Sequence, residues 1–475
     1  MEDAGIKDFK RVFFIIIDAL RENFFSPEIM PYTHRLADRG VWFRNAYSVT
    51  NATDPSLTSM YTGMYPLNHG LIHHGKLVSP SEVRLLESTR FLQEALRERG
   101  WRTLAVDFLE RWHRRGYSAY LVPWPYPVKK GNPVYRFANR VLPSRVKKSM
   151  LPILEFLGLR RGKRWLQGKP YDAFTAIRAL LKFLGSVRSG ERIFAFIHLW
   201  DTHTPYTAPP ELVEIFLSRW RGDVYDLPLV EALKSLRGPW KESLLTMFNP
   251  RATVGEIVSL YAAAARYVDN ALKHLIDRLE EKGLLEDSLI IVTSDHGESL
   301  TEHGIWFDHH GLYEVSIRVP LIMYSPLLEK KTIDAWVQHI DVTETLWCLL
   351  IGGPRTRRNH STSDGECLIN LLSGKGRGRS FIYAEEAYTQ RKFMIRIDRY
   401  KYIFAPNREK AICRYCGVVH GGGLEELYDL KRDPEEKNNI IDENRDIASE
   451  LRKELKEFIQ NLLRKRLKRK IKNRE

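Results

Sequence analysis

Residues 12–18 read VFFIIID, an unbroken run of aromatic and β-branched side chains closed by one carboxylate. The run shows no polar alternation. It therefore predicts a strand buried on both faces, as at the centre of a parallel sheet covered by helices. Open α/β sheets bind ligands beyond the carboxyl ends of their strands, and Asp18 stands at such an end. Two other stretches repeat the pattern: RIFAFIHLWD runs to Asp201, and LIIVTSD runs to Asp295. A helix is predicted from about 255 to 282, with Tyr261, Ala265, Val268, Leu272, Leu275 and Leu279 on one face and Gly283 ending it. A helix over 87–99 leads into another strand, TLAVDF. The alternation predicts a doubly wound α/β domain.

That domain is expected over residues 10–350, interrupted by a Pro-rich, basic insertion at about 108–170 and a second insertion at about 207–250. SFIYAEEAYTQ, KFMIRIDRYKYIFA and ELYDLKRDPEEKNNI predict the strands of a smaller α+β subdomain over 375–445, followed by a basic helical tail at 446–475. With 43% apolar and 11% aromatic residues, the 475-residue chain has the composition of a folded protein with a sizeable core.

The formal charge of +15 is concentrated. Residues 111–170 hold fifteen Lys or Arg against one acid, Glu155, and residues 464–474 hold eight with no acid. Such clusters suit an anionic partner: a membrane surface, a polyanionic substrate or a nucleic acid, although no specific nucleic acid and no oligomeric state is predicted. A solvated surface is the plainer reading. No apolar stretch reaches membrane-spanning length and no signal peptide is visible, so a cytoplasmic protein with peripheral membrane contact is expected. Four cysteines are too few for a disulfide scaffold. Cys413-x-x-Cys416 followed by His420 resembles half a zinc ribbon. Lacking a second close pair, it reads as a loop held by packing.

The chemistry-bearing residues cluster after the predicted strands. Asp18 and the pair Asp295-His296 have the types that bind divalent cations such as Zn, Mn, Mg or Ca. In NATDPSLTSMYTGMYPLNHG, Thr53 precedes a helix, where it is either a simple N-cap or a nucleophile placed where backbone N–H groups can hold an anion. WDTHTPY carries Asp201 and His203; HGIWFDHHGLYE carries His303, Asp308, His309 and His310. Histidines beside strand ends suit holding ester oxygens, protonating a leaving group or binding metal.

FFIIIDALREN, followed by MPYTHRLADRGVWFRNAYSVTNATDPSLTSMYTGMYPLNHG, resembles the amino-terminal signature of the sulfatase-like branch of the alkaline phosphatase superfamily. The tract YAAAARYVDNALKHLIDRLEEKGLLEDSLIIVTSDHGE and the segments HGIWFDHHGLYEVSIRVPLIMYS and ELYDLKRDPEEKNNI are also similar to that family. The resemblance implies an alkaline-phosphatase-like, mostly parallel sheet. It implies one or two divalent ions at Asp18, Thr53, Asp295 and His296. Thr53, His203 and His309 become catalytic candidates, and Arg21, Asp201 and His310 are expected beside an anionic ester substrate. His309 falls where many relatives place a sulfate-contacting lysine. The motif departs at one place. Family members with Cys or Ser-x-Pro-Ser-Arg convert the first residue to formylglycine, whereas this chain has Thr53-Asp54-Pro55-Ser56-Leu57. Threonine cannot form that aldehyde. The resemblance thus implies a hydrolase of sulfate or phosphate esters, with a phosphodiesterase, phosphonate hydrolase or phosphoryl-group transferase as the alternative. A membrane- or nucleic-acid-binding protein with a vestigial site is the competing reading from another class.

Overall fold

The structure is a computed structural model that describes residues 9–123, 171–188, 190–352 and 363–472. Strand β1 (Arg11–Ile17) forms as expected and is flanked by parallel partners on both sides, β5 (Ile193–Leu199) and β6 (Ser288–Thr293). Its side chains alternate between two cores. Phe13, Ile15 and Ile17 belong to one, and Val12, Phe14 and Ile16 to the other, which accounts for the run having no polar face.

The remaining strands are β2 (Val41–Tyr47), β3 (Arg102–Val106), β4 (Ala119–Leu121), β7 (Arg318–Tyr324) and β8 (Lys331–Gln338), in the order β4-β3-β5-β1-β6-β7-β2-β8. Only β7 runs against the others. The first core is covered by the helices Ala173–Leu184 and Val254–Glu281, the second by Thr53–Thr62, Leu92–Glu98 and His339–Trp347. The long helix starts at a capping box, where Thr253 and Glu256 satisfy each other's backbone N–H.

A four-stranded antiparallel sheet, β12-β11-β10-β9, makes the C-terminal subdomain from β9 (Phe381–Glu386), β10 (Lys392–Ile397), β11 (Tyr400–Phe404) and β12 (Glu425–Asp429). Thus a doubly wound, mostly parallel α/β sheet with a smaller α+β subdomain is what the chain forms.

Two expectations change. The helix expected over 87–99 is broken: a short turn at Leu86–Ser88 precedes the helix proper, because Arg115 reaches in to take the carbonyls of Leu86 and Thr89 at 2.6 and 2.8 Å. Residues 108–121 are not an insertion, since β4 closes one edge of the main sheet; residues 124–170 lie outside those described. Cys348 and Cys367 form a disulfide, one bridge rather than a scaffold, while Cys413 and Cys416 are free and buried.

Residues 207–250, expected as a second insertion, pack as short helices, including Pro239–Met247, with Trp240 donating to the Trp306 carbonyl at 2.8 Å. No described helix is long and apolar enough to cross a membrane.

The tail helix, Arg445–Lys472, does not stand free. Leu451, Leu455 and Leu462 are buried in the small-sheet core, Lys465 pairs with Asp364 at 2.7 Å, and Arg469 donates to Asn68 Oδ1 at 2.8 Å. Leu455→Ala should therefore cost about 2–4 kcal/mol of stability in chemical denaturation, whereas Leu463→Ala, on the outer face, should cost under about 0.5 kcal/mol.

Candidate active site

Because β1, β5 and β6 are parallel neighbours, their carboxyl ends open on one edge, and the residues just beyond them meet. Asp18 anchors by its N–H to the Leu199 carbonyl at 2.8 Å, and Asp295 Oδ1 accepts the Ala19 N–H at 3.1 Å. Opposite them the helix Thr53–Thr62 begins. Its N-cap is Ala52, so the Thr53 hydroxyl is not used as a cap. It lies instead 3.3 Å from His296 Nε2.

The protonation of His296 follows from its partners. Nδ1 is 2.8 Å from the Gly297 carbonyl and must donate to it. Burial pushes the ring down to about 4, so it is neutral and Nε2 offers a lone pair. That lone pair faces Asp295 Oδ2 at 3.3 Å and Asp18 Oδ1 at 3.8 Å. Neither oxygen accepts a hydrogen bond among the described residues, and all three side chains are fully buried.

Acceptors converging in a dry interior repel unless a proton or a cation sits between them. The strain is visible in Asp295, which burial, then the Asp18 carboxylate, pushes up to about 8. For Asp18, burial acts upward, but the facing imidazoles of His203, His198 and His296 outweigh it and hold the carboxyl low. Two carboxylate oxygens, one imidazole nitrogen and a neighbouring hydroxyl fit a divalent cation.

His198 was not anticipated. Its Nε2 meets Asp18 Oδ2 at 3.0 Å and its Nδ1 meets Asp107 at 2.9 Å. Burial would lower its pKa, but these carboxylates outweigh that and push it up to about 10. An imidazolium at this point fixes the rotamer of Asp18 and leaves Oδ1 for the centre. Ligand atoms of Asp18, His198 and Asp295 all lie within 4.8 Å of one another. The signal was present in the sequence as a lone polar residue within the apolar IFAFIHL strand.

The other expected residues divide. His309 stacks on His296 with ring centroids 4.1 Å apart, and Tyr388 stacks on its other side at 5.0 Å. Its Nδ1 donates to the Asn51 carbonyl at 2.5 Å, and burial, then His296, pushes it down to about 3. It is therefore a neutral ring whose Nε2 accepts. His203, partly exposed, stands 5.7 Å from His309, and its Nδ1 donates to the Thr204 carbonyl at 2.6 Å.

Three residues expected beside substrate are engaged elsewhere. Arg21 is held by Glu302 at 2.9 Å and Asn23 at 2.7 Å. The Asp201 carboxylate takes the N–H of Ala173, at the start of a helix, at 3.4 Å. His310 turns away from His296 toward His420, 3.2 Å between their Nε2 atoms.

Asp54, also unanticipated, is buried behind Thr53 and receives His113 at 2.9 Å, His74 at 3.1 Å, Arg111 at 3.0 Å and the Gly75 N–H at 2.7 Å. Burial raises its pKa, but the hydrogen bonds from His113 and His74 bring it well below the usual carboxylate value. A lowered folded pKa gives stability that is present above the unfolded pKa and lost as pH falls through the folded one. Asp54→Asn should thus cost about 3 kcal/mol at pH 7, and the gap to the parent should narrow below about pH 4 in denaturation series.

Comparison with known proteins agrees with this architecture. The family model described as Sulfatase matches residues 10–352, and one described as N-sulphoglucosamine sulphohydrolase, C-terminal, matches residues 301–465. The choline-sulfatase of Rhizobium meliloti is 32% identical over 187 residues, covering 39% of this chain and 33% of that protein. A sulfatase of Formosa agariphila is 23% identical over 454 residues, covering 90% and 82%. Among solved structures, one in complex with its substrate D-glucosamine-2-N,6-O-disulfate superposes with TM-score 0.68 at 18% identity, covering 97% of this chain and 99% of the other. The phosphonate monoester hydrolase of Agrobacterium radiobacter superposes with TM-score 0.65 at 19% identity, covering 97% and 96%. With a family match over most of its length and this fold, the chain belongs to the sulfatase family of hydrolases, within the alkaline phosphatase superfamily.

Proposed function

We propose that the protein hydrolyses an anionic sulfate or phosphate ester with Thr53 as nucleophile and a divalent cation held by Asp18, Asp295 and His296. One observation carries the reading: the Thr53 hydroxyl, spared from capping its helix, points at a neutral imidazole nitrogen that two unpartnered carboxylate oxygens also face. The cation would acidify the hydroxyl and offset charge on the transferring oxygens. A donor set containing imidazole favours zinc or manganese over calcium.

Thr53 Oγ, its acidified proton given up to solvent, attacks sulfur or phosphorus in line, forming its ester as the bond to the leaving oxygen breaks. His203, at the open side, suits protonating that oxygen. Water then attacks the Thr53 ester; His203, neutral after giving its proton to the leaving oxygen, suits taking one from that water, and His309 Nε2, an acceptor, suits orienting it. Threonine has no geminal hydroxyl from which to expel the anion, so release requires this second displacement at sulfur or phosphorus. The same chemistry serves a phosphonate monoester, the substrate named for one of the similar structures.

The test loads the protein with Zn2+ or Mn2+ and screens aryl sulfates, phosphomonoesters, phosphodiesters and phosphonate esters. Thr53→Ala should keep the metal while losing about a hundredfold or more in kcat, and chelation should abolish turnover. Undiminished turnover by Thr53→Ala, on whichever ester is accepted, overturns the nucleophile assignment.

A further inference from the structure

Away from the Thr53 centre, four buried side chains from two subdomains bring ligand atoms together: His310, Cys413, Cys416 and His420, all within 4.8 Å of one another. The cysteines sit in CRYCG, residues 413–417, folded as a tight turn. The Cys413 N–H bonds to the Val418 carbonyl at 2.8 Å, the Gly417 N–H bonds to the Cys413 carbonyl at 2.8 Å, and Ile412 bridges Val419. Gly417 takes a positive φ of 71°, which a Cβ would resist. The turn aims the Tyr415 N–H at Cys413 Sγ, 3.4 Å away, a donor that supports a thiolate.

The histidines are oriented as ligands. His420 Nδ1 lies 3.1 Å from the His303 carbonyl, to which it must donate, so Nε2 carries the lone pair. His310 Nδ1 lies 3.2 Å from Asp308 Oδ2, a carboxylate beside the ring, while its Nε2 faces His420. The two Nε2 atoms are 3.2 Å apart, and Cys416 Sγ is 3.1 Å from His420 Nε2. With metal–nitrogen bonds of about 2.0–2.1 Å, a tetrahedral zinc ion sets its nitrogen ligands about 3.3 Å apart.

We propose that His310, Cys413, Cys416 and His420 bind a structural zinc ion that ties the C-terminal subdomain to the loop carrying His309. The site has four protein ligands and no open position, the composition of a closed rather than a catalytic centre. Its place gives it mechanical consequence. His309 is the residue before a ligand. Tyr415, between the two cysteines, hydrogen-bonds Tyr388 at 2.8 Å, and Tyr388 stacks on His309. Tyr415 also stacks on Trp240 at 5.6 Å, so the turn braces the helix Pro239–Met247 as well.

Cobalt distinguishes this site from the Thr53 centre, because only here can the ligands include sulfur. Full-length protein, reduced and freed of metal, is titrated with Co2+. The expected spectrum has a sulfur-to-cobalt charge-transfer band in the near ultraviolet and the intense visible bands of tetrahedral cobalt. Both should persist in Asp295→Asn and vanish in Cys416→Ser. His310→Ala should weaken Co2+ binding at this site by about tenfold or more. Parent protein that binds Co2+ without the charge-transfer band overturns the proposal, whatever the fate of the variants. So does a band that survives Cys416→Ser. Either result would leave a metal-free cluster in which a proton on His310 bonds to His420.

Discussion

Concentrated electron-pair donors in a dry interior govern this molecule. Asp18 Oδ1, Asp295 Oδ2 and His296 Nε2 face one another with no hydrogen bond to the two oxygens among the described residues. Such an arrangement would push the strand ends apart if they were not pinned, and the pinning is extensive. β1 is laddered on both sides, Asp295 Oδ1 is spent on the Ala19 N–H, and Asp18 Oδ2 is spent on a charged His198. Each carboxylate is anchored by one oxygen, and its other oxygen faces the centre. The fold supplies rigidity, and the centre accumulates the negative potential that suits a cation.

Around that centre, each layer orients the one inside it. Asp107 holds His198, which holds Asp18. Asn51 holds His309, which stacks on His296. Asp54, gripped by His74, His113 and Arg111, fixes the first turn of the helix that presents Thr53. These supports come from segments far apart in the chain, including the short stretch at 111–114 next to β4. The C-terminal subdomain joins the same hierarchy through Tyr388 and the Cys413–Cys416 turn, so the small sheet furnishes part of the wall of the site.

The distribution of positive charge takes on a different meaning in three dimensions. Arg469 in the tail is buried on Asn68, just after the Thr53 helix, and Arg111 is spent on Asp54. Part of the basic excess is therefore structural, compensating buried acceptors. Exposed tail residues such as Leu467 remain on the outer face of the helix.

The sequence by itself determined the central strand, the parallel neighbours, the long helix and the small antiparallel sheet, because burial on two faces or one imposes a periodicity that survives without coordinates. It also marked Asp18, Asp295 and His296, since residues just past buried strands gather at the sheet's open edge, whereas Thr53 was marked through the family resemblance of its segment. Only the tertiary structure decided that Arg21, Asp201 and His310 face other partners. Side-chain direction beyond a strand end depends on which distant group competes for it: Glu302, the Ala173 N–H and His420 here. The half-ribbon at Cys413 and Cys416 likewise looked incomplete in the sequence. Its remaining ligand, His310, lies about a hundred residues upstream in another subdomain, and only packing of the two sheets makes them neighbours.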